Sequence, residues 1–120
     1  MAGGRMRRVD EAVREVLSDA IATDLKDPRV GFVTVTAVKT SRDLRHARVY
    51  VSVLGDEPSR AASLEGLRSA HGFLQGALSR QLKLKHTPTL KFEYDETVER
   101  AARLTELLDR GPDMDGGPGA

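Results

Sequence analysis

The chain has 120 residues, of which 31% are charged and 39% hydrophobic, with a formal net charge of +1 at pH 7. This length predicts one domain with a core of ordinary size, and the composition is typical of a globular protein rather than a disordered one. The absence of cysteine excludes disulfides and thiolate metal sites. No apolar run approaches the length of a membrane span and no secretory signal is visible, so we expect a cytoplasmic protein.

The first predicted element is a helix from about Arg7 to Leu25, because apolar residues recur there at the i, i+3, i+4, i+7 spacing of one buried face. Residues 1–6 are rich in glycine and are expected to be flexible. Asp27-Pro28 is predicted to end the helix, since the residue before a proline avoids helical backbone angles.

A β-hairpin is predicted next, because two strand patterns of similar length, Phe32–Lys39 and Arg45–Gly55, flank a five-residue polar turn. In the second strand, small and branched apolar residues alternate with polar ones, which is typical of a sheet with one buried and one solvent-facing side. The predicted buried positions are Ala47, Val49, Val51 and Val53. The predicted open face carries Arg48, Tyr50 and Ser52, with Thr34 and Thr36 from the first strand.

A second helical stretch is predicted from about Ser59 to Leu82, with Ser59 or Ser63 as its cap. Each of its three glycines weakens it by about 1 kcal/mol relative to alanine. If the helix breaks near Gly72, its second half begins with unpaired backbone N–H groups, which can bind phosphate. Alternatively, Gly72 lets a neighbouring helix approach closely, and the composition favours neither interpretation. The three glycines are Gly66, Gly72 and Gly76.

A third strand is predicted at Thr89–Tyr94, followed by a last helix that ends before Gly111 and a disordered tail at 111–120. The crossover from the second strand to the third is long enough for a βαβ-type return. The predicted order is therefore α-β-β-α-(kink)-α-β-α, an α+β domain over residues 7–110 with helices on one face of a three-stranded sheet. The apolar stripe of the last helix comprises Val98, Ala101, Leu104, Leu107 and Leu108.

No catalytic or metal-binding constellation is visible in the sequence. His46, His71 and His86 lie in different predicted elements without metal-ligand spacing. His71 falls on the inner stripe of its helix, where a packed histidine is expected. There is no phosphate-binding Gly-Lys-Ser/Thr loop and no dinucleotide fingerprint. We therefore expect a protein without enzymatic activity, metal or cofactor.

The charge of the chain is unevenly distributed. The part from Glu93 onward holds eight acidic and three basic residues, so the preceding part has a net charge of +6. Such asymmetry is typical of a protein with a polyanionic partner, although a solvated surface is the commoner meaning of a charge run.

Tyr50 could stack on a base, but a tyrosine on a strand more often packs against the neighbouring strand. The candidate RNA contacts are Arg7, Arg8, Arg42, Arg45, Arg48, Arg80, Lys83 and Lys85.

A series of short motifs covers about residues 5–110 in a fixed order. The motifs are the arginine-rich start of the first helix (Arg5, Arg7, Arg8), Asp27-Pro28-Arg29, Val33-Thr34-Val35-Thr36, Ser41-Arg42-Asp43-Leu44, Ala47-Arg48-Val49-Tyr50-Val51-Ser52, Ala70-His71-Gly72, Leu82-Lys83-Leu84-Lys85, Thr87-Pro88 and Phe92-Glu93-Tyr94-Asp95. The series, more than any single motif, resembles the bacterial ribosome-binding factor A family.

This resemblance implies a type II KH-like fold. In ordinary KH domains a Gly-x-x-Gly loop between two helices clamps nucleic-acid backbone. In the family an Ala-x-Gly kink replaces that loop, and here the kink would be Ala70, His71 and Gly72. Between the two helices the sequence indeed has no Gly-x-x-Gly.

The resemblance also implies a function. Members of the family are non-enzymatic factors that bind the free small (30S) ribosomal subunit and its rRNA and assist its late maturation. They are needed for efficient 16S rRNA processing, with contacts near the 5′-terminal helix, and are associated with cold adaptation. We expect a monomer. Three alternatives stay open: a generic KH-like module acting on other RNA, a protein-interaction domain with an acidic partner, and a nuclease acting on precursor rRNA.

Overall fold

Three strands form one mixed sheet, and the helices pack on one of its faces. The computed structural model describes residues 2–97 and 104–108. Its elements are α1 (Ala2–Asp19) with a π-helical turn (Ala20–Asp24), β1 (Val33–Thr40), β2 (His46–Val53), α2 (Glu57–Ser69), α3 (His71–Gln81) and β3 (Thr89–Tyr94). β2 pairs antiparallel with β1 and parallel with β3, in the order β1-β2-β3. The predicted α+β order is confirmed up to β3, including the break between α2 and α3.

The predicted last helix falls only partly within the described residues. Residues 104–108 are helical, whereas Val98 and Ala101 of its predicted stripe, and the tail at 111–120, lie outside the described residues. Leu104, Leu107 and Leu108 are exposed rather than buried. The domain bounds of 7–110 and the flexibility of both ends stay predictions.

The core lies between the sheet and the helices. Along β2, buried residues alternate with exposed or half-buried ones, as predicted. In β1 the alternation is interrupted by a β-bulge between Val35 and Ala37, so that Val35 and Val38 both face the core. The helices and β3 complete the core with Val13, Val16, Leu17, Leu67, Leu74, Leu78, Leu90 and Phe92.

Helix α1 begins earlier than predicted, at Ala2 instead of Arg7. Apolar spacing reveals only the part of a helix that is packed, and the first turns of α1 extend beyond that part with exposed arginines. The helical backbone continues to Asp24 and becomes extended at Leu25, where ψ is 124°. The end of the helical segment therefore agrees with the prediction, whereas the glycine-rich start was wrongly placed outside it.

The cap of α2 is Asp56, so the prediction of Ser59 or Ser63 is wrong. The Asp56 carboxylate accepts a hydrogen bond from the Ser59 N–H at 3.0 Å. Ser63 is buried, and its hydroxyl accepts from the Gly31 N–H at 3.1 Å and donates to the Arg29 carbonyl at 3.4 Å. Ser63 thereby joins α2 to the turn that follows α1.

Gly66 packs against this same turn. A Cβ at Gly66 would lie 2.6 Å from Val30 Cγ2 and 3.4 Å from Arg29 Cβ, so only glycine fits without a shift. At Gly72, in contrast, a Cβ would meet no heavy atom within 4 Å. The proposal that Gly72 permits a close helix approach is therefore wrong, and the close approach in α2 occurs at Gly66.

The turn between α1 and β1 gives the fold a pH dependence. Hydrogen bonds from the Arg29 guanidinium and the Arg29 N–H lower the pKa of Asp27 to about 2. Since this folded-state pKa lies below the ordinary value of 3.8, the carboxylate stabilises the fold above about pH 4, and this contribution is lost as the pH falls towards 2. We expect Asp27→Asn to lower stability at pH 7 and to remove this part of the acid destabilisation.

Urea unfolding between pH 7 and pH 2 measures this effect. Asp24→Asn, which changes an exposed carboxyl outside the hydrogen-bonded turn, is the control. Identical pH profiles for Asp27→Asn and the unsubstituted protein would contradict the prediction.

Candidate RNA-binding surface

Segments that are distant in sequence meet at one end of the sheet. Because a tight turn joins β1 to β2 and β3 runs parallel to β2, the end of β1 and the starts of β2 and β3 lie together. The Thr89 N–H donates to the Arg45 carbonyl at 2.8 Å, and Asp10 of α1 accepts from the Thr40 N–H at 2.9 Å. We call this end the basic end. Arg7 lines a hollow there with Asp10 and Lys39, and Arg42 and Arg45 lie in the β1–β2 turn. The exposed Arg8, Lys83 and Lys85 belong to the chain segments that lead to this end.

The turn between β1 and β2 holds its two arginines on a hydrogen-bonded frame. Asp43 accepts hydrogen bonds from the Ser41 hydroxyl at 2.6 Å and from the Arg45 N–H at 3.0 Å, and these bonds lower the pKa of its carboxyl. Leu44 closes the turn with a left-handed φ of 62°. Arg42 and Arg45 are exposed on this frame. Because the backbone of the turn is already hydrogen-bonded, binding an anion there costs little backbone conformational entropy.

A polar hollow of about 350 Å³ lies between this turn and the segment that leads into β3. It is lined by Arg45, His46, His86, Thr87 and Thr89. Two of the three histidines that appear scattered in the sequence therefore share one surface. Guanidinium, imidazole and hydroxyl groups are suited to phosphate and ribose oxygens.

The break between α2 and α3 lies beside the outer edge of β3. The Arg68 guanidinium on α2 donates to the Phe92 carbonyl at 3.1 Å, and the Gln75 amide on α3 donates to the Pro88 carbonyl at 2.8 Å. Ala70 lies between these two side chains in sequence. Both bonds go to carbonyls of the edge strand or of the residue before it, and they partly cover that edge.

The kink predicted at Ala70 to Gly72 is present. Ala70 has φ −90° and ψ 10°, and α3 begins at His71 without a side-chain cap. His71 is exposed, so the prediction that it packs on the inner stripe is wrong, because the break rotates it away from the core. Phosphate binding at this helix start stays a prediction.

Arg80, in the last turn of α3, is exposed, and its guanidinium folds back over Gly76.

Arg48 lies on the open face of the sheet, on the side away from the helices. Interaction with the Tyr50 hydroxyl and then the charge of Glu93 raise the pKa of Arg48. Its Nε lies 3.8 Å from Glu93 Oε2. The guanidinium is therefore charged, and 61% of the side chain is exposed.

The hydroxyl groups predicted on the open face differ in their availability. Thr36 is engaged within the protein, because its hydroxyl bonds Asp95 Oδ2 at 2.5 Å and the Tyr50 carbonyl at 3.2 Å. Tyr50 is half-buried opposite Ala37, as expected for cross-strand packing, and base stacking on its ring stays a prediction. Thr34 is exposed and pairs with Ser52.

Two lysines that the predicted contacts leave out flank Arg48. Lys39 of β1 and Lys91 of β3 are its direct neighbours in the sheet, and both are exposed. Strand alternation already places Lys91 on the open face, whereas regular alternation from Thr34 and Thr36 would place Lys39 on the buried face. Their alignment with Arg48 depends on the register of the parallel pair and on the bulge in β1, neither of which is visible in the sequence.

Two kinds of feature are absent from the described part of the chain. Within residues 2–97 and 104–108, no cluster of three histidine, aspartate or glutamate side chains could hold a metal ion. In the same part of the chain, no helix is both long enough and apolar enough to cross a membrane.

Both the sequence and the fold match known proteins. A family model described as ribosome-binding factor A matches residues 5–108. A ribosome-binding factor A from Halothermothrix orenii is 45% identical over 104 residues, which cover 87% of this chain and 85% of the relative. The crystal structure of ribosome-binding factor A from Thermus thermophilus matches 74% of this chain and 94% of its own, with 30% identity and a TM-score of 0.66.

A further structural match concerns an assembly. It is a homology model of the Thermus thermophilus factor fitted into the cryo-EM map of a 30S complex. The match covers 72% of this chain and 90% of that one, with 30% identity and a TM-score of 0.60. The likeness to the crystal structure from Thermus thermophilus confirms the predicted type II KH-like fold. Since the family model covers nearly the whole chain and the identity with a relative is high, the chain belongs to the ribosome-binding factor A family.

Proposed function

We propose that this protein is an assembly factor that binds the free small (30S) ribosomal subunit through its 16S rRNA and assists its late maturation. The observation that carries the proposal is the convergence of exposed cations from separate segments on the basic end. Phosphate neutralisation by such a cluster supplies affinity, and RNA shape adds selectivity. The related factor fitted into a 30S map supports the small subunit as the target.

In this function the protein holds an immature rRNA conformation until folding is complete. It is needed for efficient 16S rRNA processing and binds near the 5′-terminal helix, and the need is greatest in the cold. It acts as a monomer in the cytoplasm, where the subunits mature, and it catalyses no reaction. The proposed contacts are Arg7, Arg8, Arg42, Arg45, Arg48, Arg80, Lys83 and Lys85, with Ala70, His71 and Gly72 forming the kink.

Sedimentation of the tagged protein from cell extract tests the central claim. We expect it to travel with free small subunits. Migration with complete ribosomes, or with no ribosomal particle, would refute the proposal, and strong enrichment of messenger RNA would favour the generic RNA-binding module instead. Binding that stays constant between low and high salt would indicate an acidic protein partner, because phosphate contacts weaken steeply with salt.

Depletion of the protein tests the role in processing. We expect precursor 16S rRNA with unprocessed ends to accumulate, most strongly at low temperature. Crosslinking to the 5′-terminal helix tests the position. Purified protein incubated with precursor rRNA is expected to leave it intact, and cleavage would establish the nuclease alternative.

A further inference from the structure

We propose that the open face of the sheet binds the backbone of an RNA strand on a row of three cations, Lys39, Arg48 and Lys91. This inference rests on the function proposed above and adds a second contact surface to it. The row lies on the side of the sheet away from the helices, so it is separate from the helix break. Its ligand is the phosphodiester chain, recognised by charge and spacing rather than by base identity.

The register of the sheet aligns the three side chains. Lys39 is the direct partner of Arg48 in the antiparallel pair, and Arg48 is the direct partner of Lys91 in the parallel pair. Neighbouring strands lie roughly 4.8 Å apart, so the row spans about 10 Å at right angles to the strands. All three side chains are exposed, and the exposed fraction of Lys91 is 71%.

Three like charges in direct register are unfavourable in the free protein, because cross-strand neighbours of the same sign repel. Glu93 offsets part of this repulsion. Its Oε2 lies 3.8 Å from Arg48 Nε and 3.9 Å from Lys91 Nζ, which are ion-pair distances without close hydrogen bonding. Among these four groups the net charge is therefore +2. An RNA phosphate can take the place of Glu93 and relieve the repulsion more completely.

The surroundings of the row fit an RNA strand. A guanidinium at the centre can bind a phosphate with two hydrogen bonds, and the flanking ammonium groups can each neutralise a neighbouring phosphate. Thr34 and Ser52, further along the same face, present hydroxyls suited to 2′-OH groups. At the edge of β3, in contrast, the Pro88 and Phe92 carbonyls already accept side-chain bonds from the helices.

Equilibrium binding to purified free small subunits, measured from 50 to 200 mM salt, tests the row. The variant Lys39→Gln/Lys91→Gln is expected to bind roughly fiftyfold more weakly at 0.1 M salt, with a slope of log K against log salt that is shallower by about 1.4–1.8. Glu93→Gln removes the competing carboxylate and is expected to bind about twofold to fivefold more tightly. Lys26→Gln, an exposed lysine before the Asp27 turn, is the control and is expected to bind normally.

The outcomes separate this inference from the function on which it rests. If the unsubstituted protein does not bind small subunits, the proposed function is refuted and the row with it. If it binds and the double lysine variant binds equally well with the same salt slope, only the row is refuted. Weaker binding by Glu93→Gln would also refute it. A loss of binding with an unchanged salt slope would indicate an acidic protein ligand and would overturn the RNA assignment.

Thermal unfolding checks that each variant is folded, and the single variants Lys39→Gln and Lys91→Gln replace the double variant if it is not.

Discussion

Gly66→Ala is expected to destabilise the domain, by about 1–2 kcal/mol, whereas Gly72→Ala is expected to stabilise it slightly. A Cβ at Gly66 would lie 2.6 Å from Val30 Cγ2, and the stiff χ1 of valine leaves that methyl group little room to move. Overpacking of this kind costs roughly 1–3 kcal/mol. The better helix propensity of alanine offsets at most about 1 kcal/mol of this destabilisation. At Gly72 the gain in propensity has no steric cost.

Thermal and urea unfolding of the two variants measure this difference. The pair is well matched, because it makes the same substitution in two helices of the same layer. The double variant Val30→Ala/Gly66→Ala tests the cause. If Gly66→Ala no longer lowers the stability when Val30 is already alanine, the contact between the two side chains is the cause. Equal stability of the Gly66 and Gly72 variants would contradict the steric argument.

The two glycines also show which parts of a fold the sequence predicts. The break in the helix was predictable, because the Ala70-His71-Gly72 motif resembles a kink known from a family. The close approach at Gly66 was not predictable, because it depends on how the Asp27 to Val30 turn packs against α2. Glycine composition shows that a helix is weak and does not show which glycine is required.

The same distinction applies to the strands. Alternation in β2 correctly predicted its buried and open faces, because its residues pair regularly with both neighbours. In β1 the bulge changes the faces, so Thr36 bonds Asp95 instead of presenting its hydroxyl. Local patterning describes a regular strand well, and an irregular one depends on contacts distant in sequence.

For the candidate site, the sequence predicted the residue types and the structure reveals their grouping. The β1–β2 turn, which carries the arginines, and the segment before β3, which carries the lysines, meet at one end only because β3 is parallel to β2. The hollow shared by His46 and His86 has the same origin. Whether these cations contact RNA stays a prediction.

The largest effect on binding is expected from removing the charges of the basic end. In the variant Arg42→Gln/Arg45→Gln/Lys83→Gln/Lys85→Gln, affinity for free small subunits is expected to fall by about a thousandfold at 0.1 M salt. Each phosphate contact contributes about 0.7–0.9 to the slope of log K against log salt, so four lost contacts also make the slope shallower by about 2.8–3.6. Fluorescence anisotropy with labelled protein, at salt concentrations from 50 to 200 mM, gives both quantities.

The substituted side chains are exposed, so the fold is expected to be retained, and urea unfolding verifies this. One change has a structural component, because Arg45 pairs loosely with Asp43 at 3.9 Å, and an exposed pair of this kind contributes little to stability. Arg45→Lys therefore serves as a charge-conserving control. It is expected to retain most of the binding if the basic end acts through phosphate neutralisation, whereas a loss equal to that of Arg45→Gln would show that guanidinium geometry, rather than charge, determines the contact.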